Sequence, residues 1–378
     1  MVLYFLIIFS VYYIFVLALI YGWAKNSGAD NTQKKAFKAQ FISIIVAVRN
    51  EAKNIHKLFS SLESQSYPKE LFEVIFIDDQ SEDETASLIQ EFRNKSKIKV
   101  IIIHSDININ SSRSPKKAAL TQGIEMARGN FILTTDGDCR MSKHWLFSMM
   151  KPFNDRVQLV SGPVVINPGN KLLTKIQSLE FASLIGSGGA LISLNYPLMC
   201  NGANLAFRKS AFTQVGGYKG KDQFSSGDDV YLMHKIHHQF KNSICFNKSS
   251  SSIVYTNPVE NFSELINQRR RWASKWNSYQ LSYSSLLAVI LFLHYLSFLG
   301  LIVVMIIYHS IIFSGIALIA IKLIIDFIFL KKVMKFCNLP FRIPVYLLTS
   351  LLYPFYALTI GIIVHFGKWN WKGRKYKI

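Results

Sequence analysis

Residues 41–51 read FISIIVAVRNE, and this stretch decides the fold. Positions 41–48 form a short continuous apolar run rich in Ile and Val, the pattern of a strand buried on both faces. The run stops at Arg49-Asn50-Glu51. A helix-spaced segment follows at 54–64, and the alternation then repeats. Strands are expected at 72–77 (FEVIFI), 100–103 and 130–134, with helices at 84–94 and 116–127. Strands alternating with helices imply an α/β fold with a mostly parallel sheet covered on both faces. In such sheets ligands sit beyond the carboxyl ends of the strands, so the polar residues there matter most.

Outward from this domain, assigned to residues 40–283, the chain turns apolar. Half of its 378 residues are hydrophobic, and its mean hydropathy is positive. Residues 2–23 are an unbroken apolar run, long enough to cross a ~30 Å hydrocarbon core. The run lacks the basic start and small-residue cleavage site of a signal peptide, so 1–24 is read as a transmembrane helix. Lys25, Lys34, Lys35 and Lys38 lie in the basic linker 25–39 and place that side in the cytosol. Membrane helices are expected again within 284–366, at 286–308, 311–330 and 344–366. Lys322 and Asp326 sit one turn apart and can pair. Pro354 interrupts the last stretch. If all four stretches crossed, the basic tail 367–378 would end outside, against the positive-inside tendency. The stretch 344–366 is therefore expected to be re-entrant or interfacial, with the tail cytosolic. That gives one N-terminal and two or three C-terminal membrane helices.

The net charge is +20. A nucleic-acid binder could carry it; so could a protein pressed against anionic lipid and handling a diphosphate. The membrane stretches favour the second, and no nucleic-acid partner is expected. Cys139, Cys200, Cys245 and Cys337 show no CxxC spacing and read as reduced thiols. No GxGxxG or GxxxxGK[ST] string is present.

Acidic strand ends gather on one edge: Glu51 after the first strand, Asp78-Asp79 after the second, Asp136-Gly137-Asp138 after the fourth. Asn50 or Ser81 can equally cap the helix that follows, and Asp-Gly-Asp can be an ordinary turn. Two carboxylates one residue apart behind a buried strand also suit Mg²⁺ or Mn²⁺, hard cations that bridge substrate phosphates. Lys116 opens a helix; it is a solvated lysine or, with the free N–H groups there, a phosphate ligand. Asp228 and Asp229 also open a helix, where its dipole favours them. A carboxylate there can act as general base for transfer onto a hydroxyl. Gly202, Gly216 and Gly217 permit close backbone approach. Gln268-Arg269-Arg270-Arg271-Trp272 precedes the second membrane stretch. Lipid headgroups would explain its arginines but not Gln268.

Taken in order over about 41–276, Val-Arg-Asn-Glu, Asp-Asp-Gln-Ser, Lys-Lys-Ala-Ala-Leu, Asp-Gly-Asp, Asn-Gly-Ala-Asn, Gly-Asp-Asp and Gln-Arg-Arg-Arg-Trp resemble the family 2 glycosyltransferases with the GT-A fold. The resemblance implies roles. Asn50 and Glu51 would lie near the nucleotide base or ribose. Asp79, with Asp78 beside it, would read a uracil, and Lys116 would help hold the nucleotide. Asp136 and Asp138 would form the metal site, Asp138 contacting the metal most directly. Asp229 would be the catalytic base. Gln268, Arg271 and Trp272 would grip the diphosphate and line an acceptor channel. Residues 172–199, apolar and Gly-rich, read as a core helix; the family suggests a helix in the membrane interface. Pro115 replaces a usual Gly, and Asp228-Asp229 a usual Glu-Asp.

The expectation is a metal-dependent, inverting hexosyltransferase at the cytoplasmic (inner) membrane, multi-pass, with its catalytic domain cytosolic. Its donor would be a UDP-sugar, its acceptor a lipid or glycan, with Mg²⁺ or Mn²⁺ as cofactor. The small membrane region favours a lipid acceptor and a single transfer. A processive polysaccharide synthase of the poly-N-acetylglucosamine type is the alternative. A non-enzymatic, nucleotide-regulated membrane protein is the farther one.

Overall fold

The apolar run becomes β1 (Ile42–Val48), buried throughout except for half-buried Ala47. The structure, a computed structural model, describes residues 2–26, 39–105, 114–220, 227–273, 282–363 and 368–377. Most of the linker expected at 25–39 lies outside the described residues.

Parallel neighbours flank β1 on both sides. They are β2 (Phe72–Asp78), itself paired with β3 (Lys99–His104), and β4 (Phe131–Thr134). The register pairs Val48 with Asp78, so β1 and β2 end level and set Asn50 beside Asp79. Beyond β4 the order continues through β8 (Leu205–Arg208), β6 (Leu159–Ser161) and β9 (Ile244–Phe246), making seven strands. Strand β8 runs antiparallel to both β4 and β6. A second sheet joins β5 (Arg140–Met141), β10 (Val254–Thr256) and β7 (Val164–Ile166).

Helices cover the main sheet on both faces. Ile44 and Val46 point toward α2 (Ile55–Glu63) and α5 (Trp145–Met150), packing with Leu58, Leu62 and Trp145. Ile45, Ile75 and Ile77 point the other way, toward Leu120 and Ile124 of α4 (Pro115–Met126). Further helices are α3 (Thr85–Lys95), α7 (Lys209–Gln214) and α8 (Asp228–Gln239). The apolar segment after 171 forms α6 (Leu172–Ser193), a core helix wedged between sheet and membrane helices. A Cβ on Gly186 would come within 2.5 Å of Val333, and one on Gly189 within 2.7 Å of Phe246, so only glycine permits this packing.

Four helices are long and apolar enough to cross a membrane. They are α1 (Val2–Lys25), α10 (Ser282–Ile307), α11 (Ile312–Phe336) and α12 (Ile343–Ile363); α9 (Phe262–Ala273) precedes them on the domain side. Lys322 and Asp326 pair at 2.7 Å, as their spacing predicts. Tyr12 of α1 donates to Asp326 at 2.9 Å, and Tyr13 to the Leu318 carbonyl at 2.6 Å. Helix α1 is thus tied into the bundle by polar bonds as well as by apolar packing.

After α12 the chain makes a hairpin, β11 (Lys368–Trp371) and β12 (Arg374–Lys377). Its turn residues Lys372 and Gly373 both have positive φ, 50° and 85°, as a two-residue hairpin turn requires. The tip of that turn rests against the ends of β1 and β2.

Candidate active site

Asn50 and Gln80 end their strands in the left-handed region, with φ of 52° and 58°. Polar bonds between the two loops hold this conformation. The Asn50 amide donates to Ser81 Oγ at 3.1 Å, and its side-chain oxygen accepts from the Glu82 amide at 2.8 Å. Asp78 is spent on the same turn, accepting from the Ser81 amide at 3.2 Å.

Asp79 is buried and pairs with Arg374 of the hairpin, Nη1 to Oδ2 at 2.6 Å. Its Oδ1 has no hydrogen-bond partner among the described residues. Burial raises the Asp79 pKa, although Arg374 and Arg49 pull it back. Arg49 donates to the carbonyls of Asp79 (2.7 Å) and Lys372 (2.9 Å). Lys372 meets Glu51 Oε1 at 2.9 Å and the Asn50 carbonyl at 3.1 Å. Burial also raises the Glu51 pKa, against the pull of Lys372. The hairpin tip therefore covers the edge assigned to the nucleotide base. Sequence reading missed Arg49, Lys372 and Arg374.

The Asp-Gly-Asp turn follows β4. A side chain on Gly137 would press to 2.9 Å from Glu51. Asp136 Oδ1 pairs with Lys116 Nζ at 3.1 Å. Burial pulls the Lys116 pKa down, but Asp136 and Asp228 more than offset it and keep the ammonium charged. Asp138 Oδ2 accepts from Thr256 at 2.7 Å. Burial, then the neighbouring Asp136 charge, raise the Asp138 pKa. Among the described residues no three His, Cys, Asp or Glu side chains form a ready-made metal cage. Two carboxylates still fit Mg²⁺ or Mn²⁺, which take one or two from the protein and the rest from phosphate and water. A cation there would relieve the repulsion between Asp136 and Asp138.

Asp229 sits at the start of α8. Its Oδ2 accepts from the Gly202 amide at 3.0 Å and its Oδ1 from the Val230 amide at 2.8 Å. The two N–H donors fix both carboxylate oxygens at the head of the helix. Arg271 of α9 feels Asp136, Asp228, Asp229 and Asp138 together; burial pulls its pKa down and the four aspartates push it up.

Glu51, Lys116, Asp136, Asp138, Asp229, Gln268, Arg271 and Trp272 line one cavity of about 1260 Å³. Asn50, Asp78 and Asp79 do not; they lie beside it, beneath the hairpin. The cavity continues past Glu180 into a crevice with Leu291, Phe292 and Tyr295 on one side and Tyr353 and Tyr356 on the other. Asn204 of the Asn-Gly-Ala-Asn string is structural: it is buried and bonded to Trp145, Pro163 and Ser252.

Fold and site define a GT-A-type α/β transferase domain joined to four apolar helices. The profile of Glycosyl transferase family 2 matches residues 43–216, and that of Glycosyl transferase family group 2 matches 131–367, over half the chain. The chain belongs to the family 2 glycosyltransferases. It is 28% identical over 270 residues to the poly-beta-1,6-N-acetyl-D-glucosamine synthase of Staphylococcus epidermidis, covering 71% of this chain and 61% of that relative. It is 34% identical over 106 residues to glycosyltransferase AglE of Haloferax volcanii, covering 28% of this chain and 33% of AglE. The mannosyltransferase PcManGT of Pyrobaculum calidifontis, solved with GDP-Man and Mn²⁺, shares the fold over 96% of both chains, with a TM-score of 0.55 and 15% identity.

Proposed function

We propose that the chain transfers a sugar from a UDP-sugar to a lipid acceptor at the membrane, with inversion at the anomeric carbon. One observation carries this reading: the site carboxylates and Arg271 line the same cavity as residues of α6, α10 and α12. A polar reaction centre opening onto apolar helices suits a polar donor meeting an acceptor held in lipid.

Asp229, fixed by two amides, takes the proton of the acceptor hydroxyl as its oxygen attacks the anomeric carbon. The bond to the donor β-phosphate oxygen breaks in the same displacement, and the nucleoside diphosphate leaves. Arg271 meets the negative charge that grows on that leaving group. Asp136 and Asp138 would hold Mg²⁺ or Mn²⁺, which when bound supplies Lewis-acid stabilisation of the diphosphate. Lys116 then exchanges Asp136 for a phosphate oxygen. One displacement turns an α-linked donor into a β-linked product. A product of retained configuration by NMR would exclude this scheme.

The experiment is UDP release by the purified chain with Mn²⁺, in wild type and Asp138→Ala. The variant is expected to lose release; equal release would remove Asp138 from the site. A second reading, a processive synthase, is favoured by the similarity to the poly-beta-1,6-N-acetyl-D-glucosamine synthase and by the tyrosines of the crevice. Radiolabelled product separates the two: label in the organic phase supports the lipid acceptor, water-soluble polymer the synthase.

A further inference from the structure

The three arginines of α9 do not share one task. Arg271 faces the site carboxylates, whereas Arg269 is buried at 6% exposure and turns toward the membrane helices. Its Nη2 pairs with Glu180 of α6 at 2.5 Å, and its Nε donates to the Tyr356 hydroxyl of α12 at 2.7 Å. Its Nη1 donates to Gln268 Oε1 at 2.9 Å. The guanidinium also lies 4.2 Å from the centre of the Trp272 ring. One flat cation thus touches Gln268 and Trp272, the two motif residues on either side of Arg271, and ties both to α6 and α12.

We propose that Arg269 is a positioning residue for the transfer step. It orients the Gln268 amide and the Trp272 ring, and so shapes the surface beside Arg271 where the diphosphate departs and the acceptor arrives. The inference rests on the transferase reading above. A buried ion pair adds little stability over a well-packed apolar set, so orientation is its more informative consequence. The chemistry requires a guanidinium. Only a planar fork can pair with a carboxylate, donate to a hydroxyl and an amide, and stack on an indole at once. A lysine would keep the charge opposite Glu180 but, as a compact point charge, could not span all four contacts at once.

The test uses the full chain in lipid nanodiscs, with UDP release giving kcat and donor KM, and calorimetry giving UDP affinity. Arg269→Lys is expected to melt like wild type and to lose no more than about threefold in UDP affinity, since Arg271 keeps its hold on the diphosphate. Its kcat should fall about tenfold or more while donor KM stays within about twofold. Tyr356→Phe removes one hydroxyl and should lower kcat about threefold with the same split. A folded Arg269→Lys chain with wild-type kcat overturns the proposal, and so does a loss confined to UDP affinity. If Arg269→Lys does not fold, Tyr356→Phe decides, and an unchanged kcat overturns it. A wild-type chain that turns over no donor defeats the transferase reading instead, whatever the variants do.

Discussion

Asp229 and Asp138 carry the same charge in opposite settings. Two backbone amides hold the Asp229 carboxylate in place. Asp229→Asn should therefore keep UDP affinity and lower kcat about 10²–10⁴-fold, read by UDP release and calorimetry. The Asp138 charge is opposed by burial and by Asp136, so its pKa lies above the ordinary 3.8. A carboxyl raised on folding favours the folded state below its unfolded pKa and loses that advantage as pH rises through the folded one. Asp138→Asn should then raise the metal-free melting temperature at pH 7. The gain should shrink as pH falls through the raised folded pKa and vanish below the ordinary 3.8, where wild-type Asp138 is protonated in both states. A variant no more stable than wild type at pH 7 would contradict this. The motif aspartates were legible because each follows a buried strand or opens a helix. Arg374 was not, because its partner Asp79 is 295 residues away and nothing local marks it.

At the scale of elements, the first half of the domain was readable to within one residue: 41–48, 72–77, 100–103 and 130–134 became β1 to β4. Their unbroken β-branched runs leave little choice. Strands β5 to β10 span only two to four residues each, too short to carry a period. The hairpin was also unread, although Trp369, Trp371 and Tyr376 alternate with polar residues around Lys372-Gly373, because the basic charge of 367–378 drew the reading to the membrane surface. Its tip sits on Asp79, and we propose that a base reaching Asp79 displaces Arg374. Saturating UDP should speed tryptic cleavage at Lys372 and Arg374, followed by mass spectrometry; unchanged cleavage would place the base elsewhere. In the bundle, Asp326 holds Lys322 and Tyr12. Asp326→Ala strands a buried ammonium and should cost about 3–5 kcal/mol, measured by thermal unfolding in detergent. Lys322→Met with Asp326→Leu should recover most of it.

For the whole molecule, the decisive geometry is that α12 begins and ends near the catalytic domain. Arg342 and Val345 at its start line a small pocket with Pro168, Gly169 and Lys175, Tyr356 bonds to Arg269, and the hairpin behind it grips β1 and β2. We propose that α12 lies along or dips into the membrane and returns, leaving hairpin and domain on one side. With Cys200 and Cys245 changed to serine, a cysteine at Asn370 should react with an impermeant maleimide from the same face as one at Lys57. Labelling from the opposite face would mean that α12 crosses. The hairpin's seat has a practical side as well. An affinity handle or fluorescent fusion attached behind it would dangle at the doorway we propose for the donor and would distort the kinetic constants measured. A small dye in the same place would instead work as a gauge, its brightness tracking whether the doorway is open or shut.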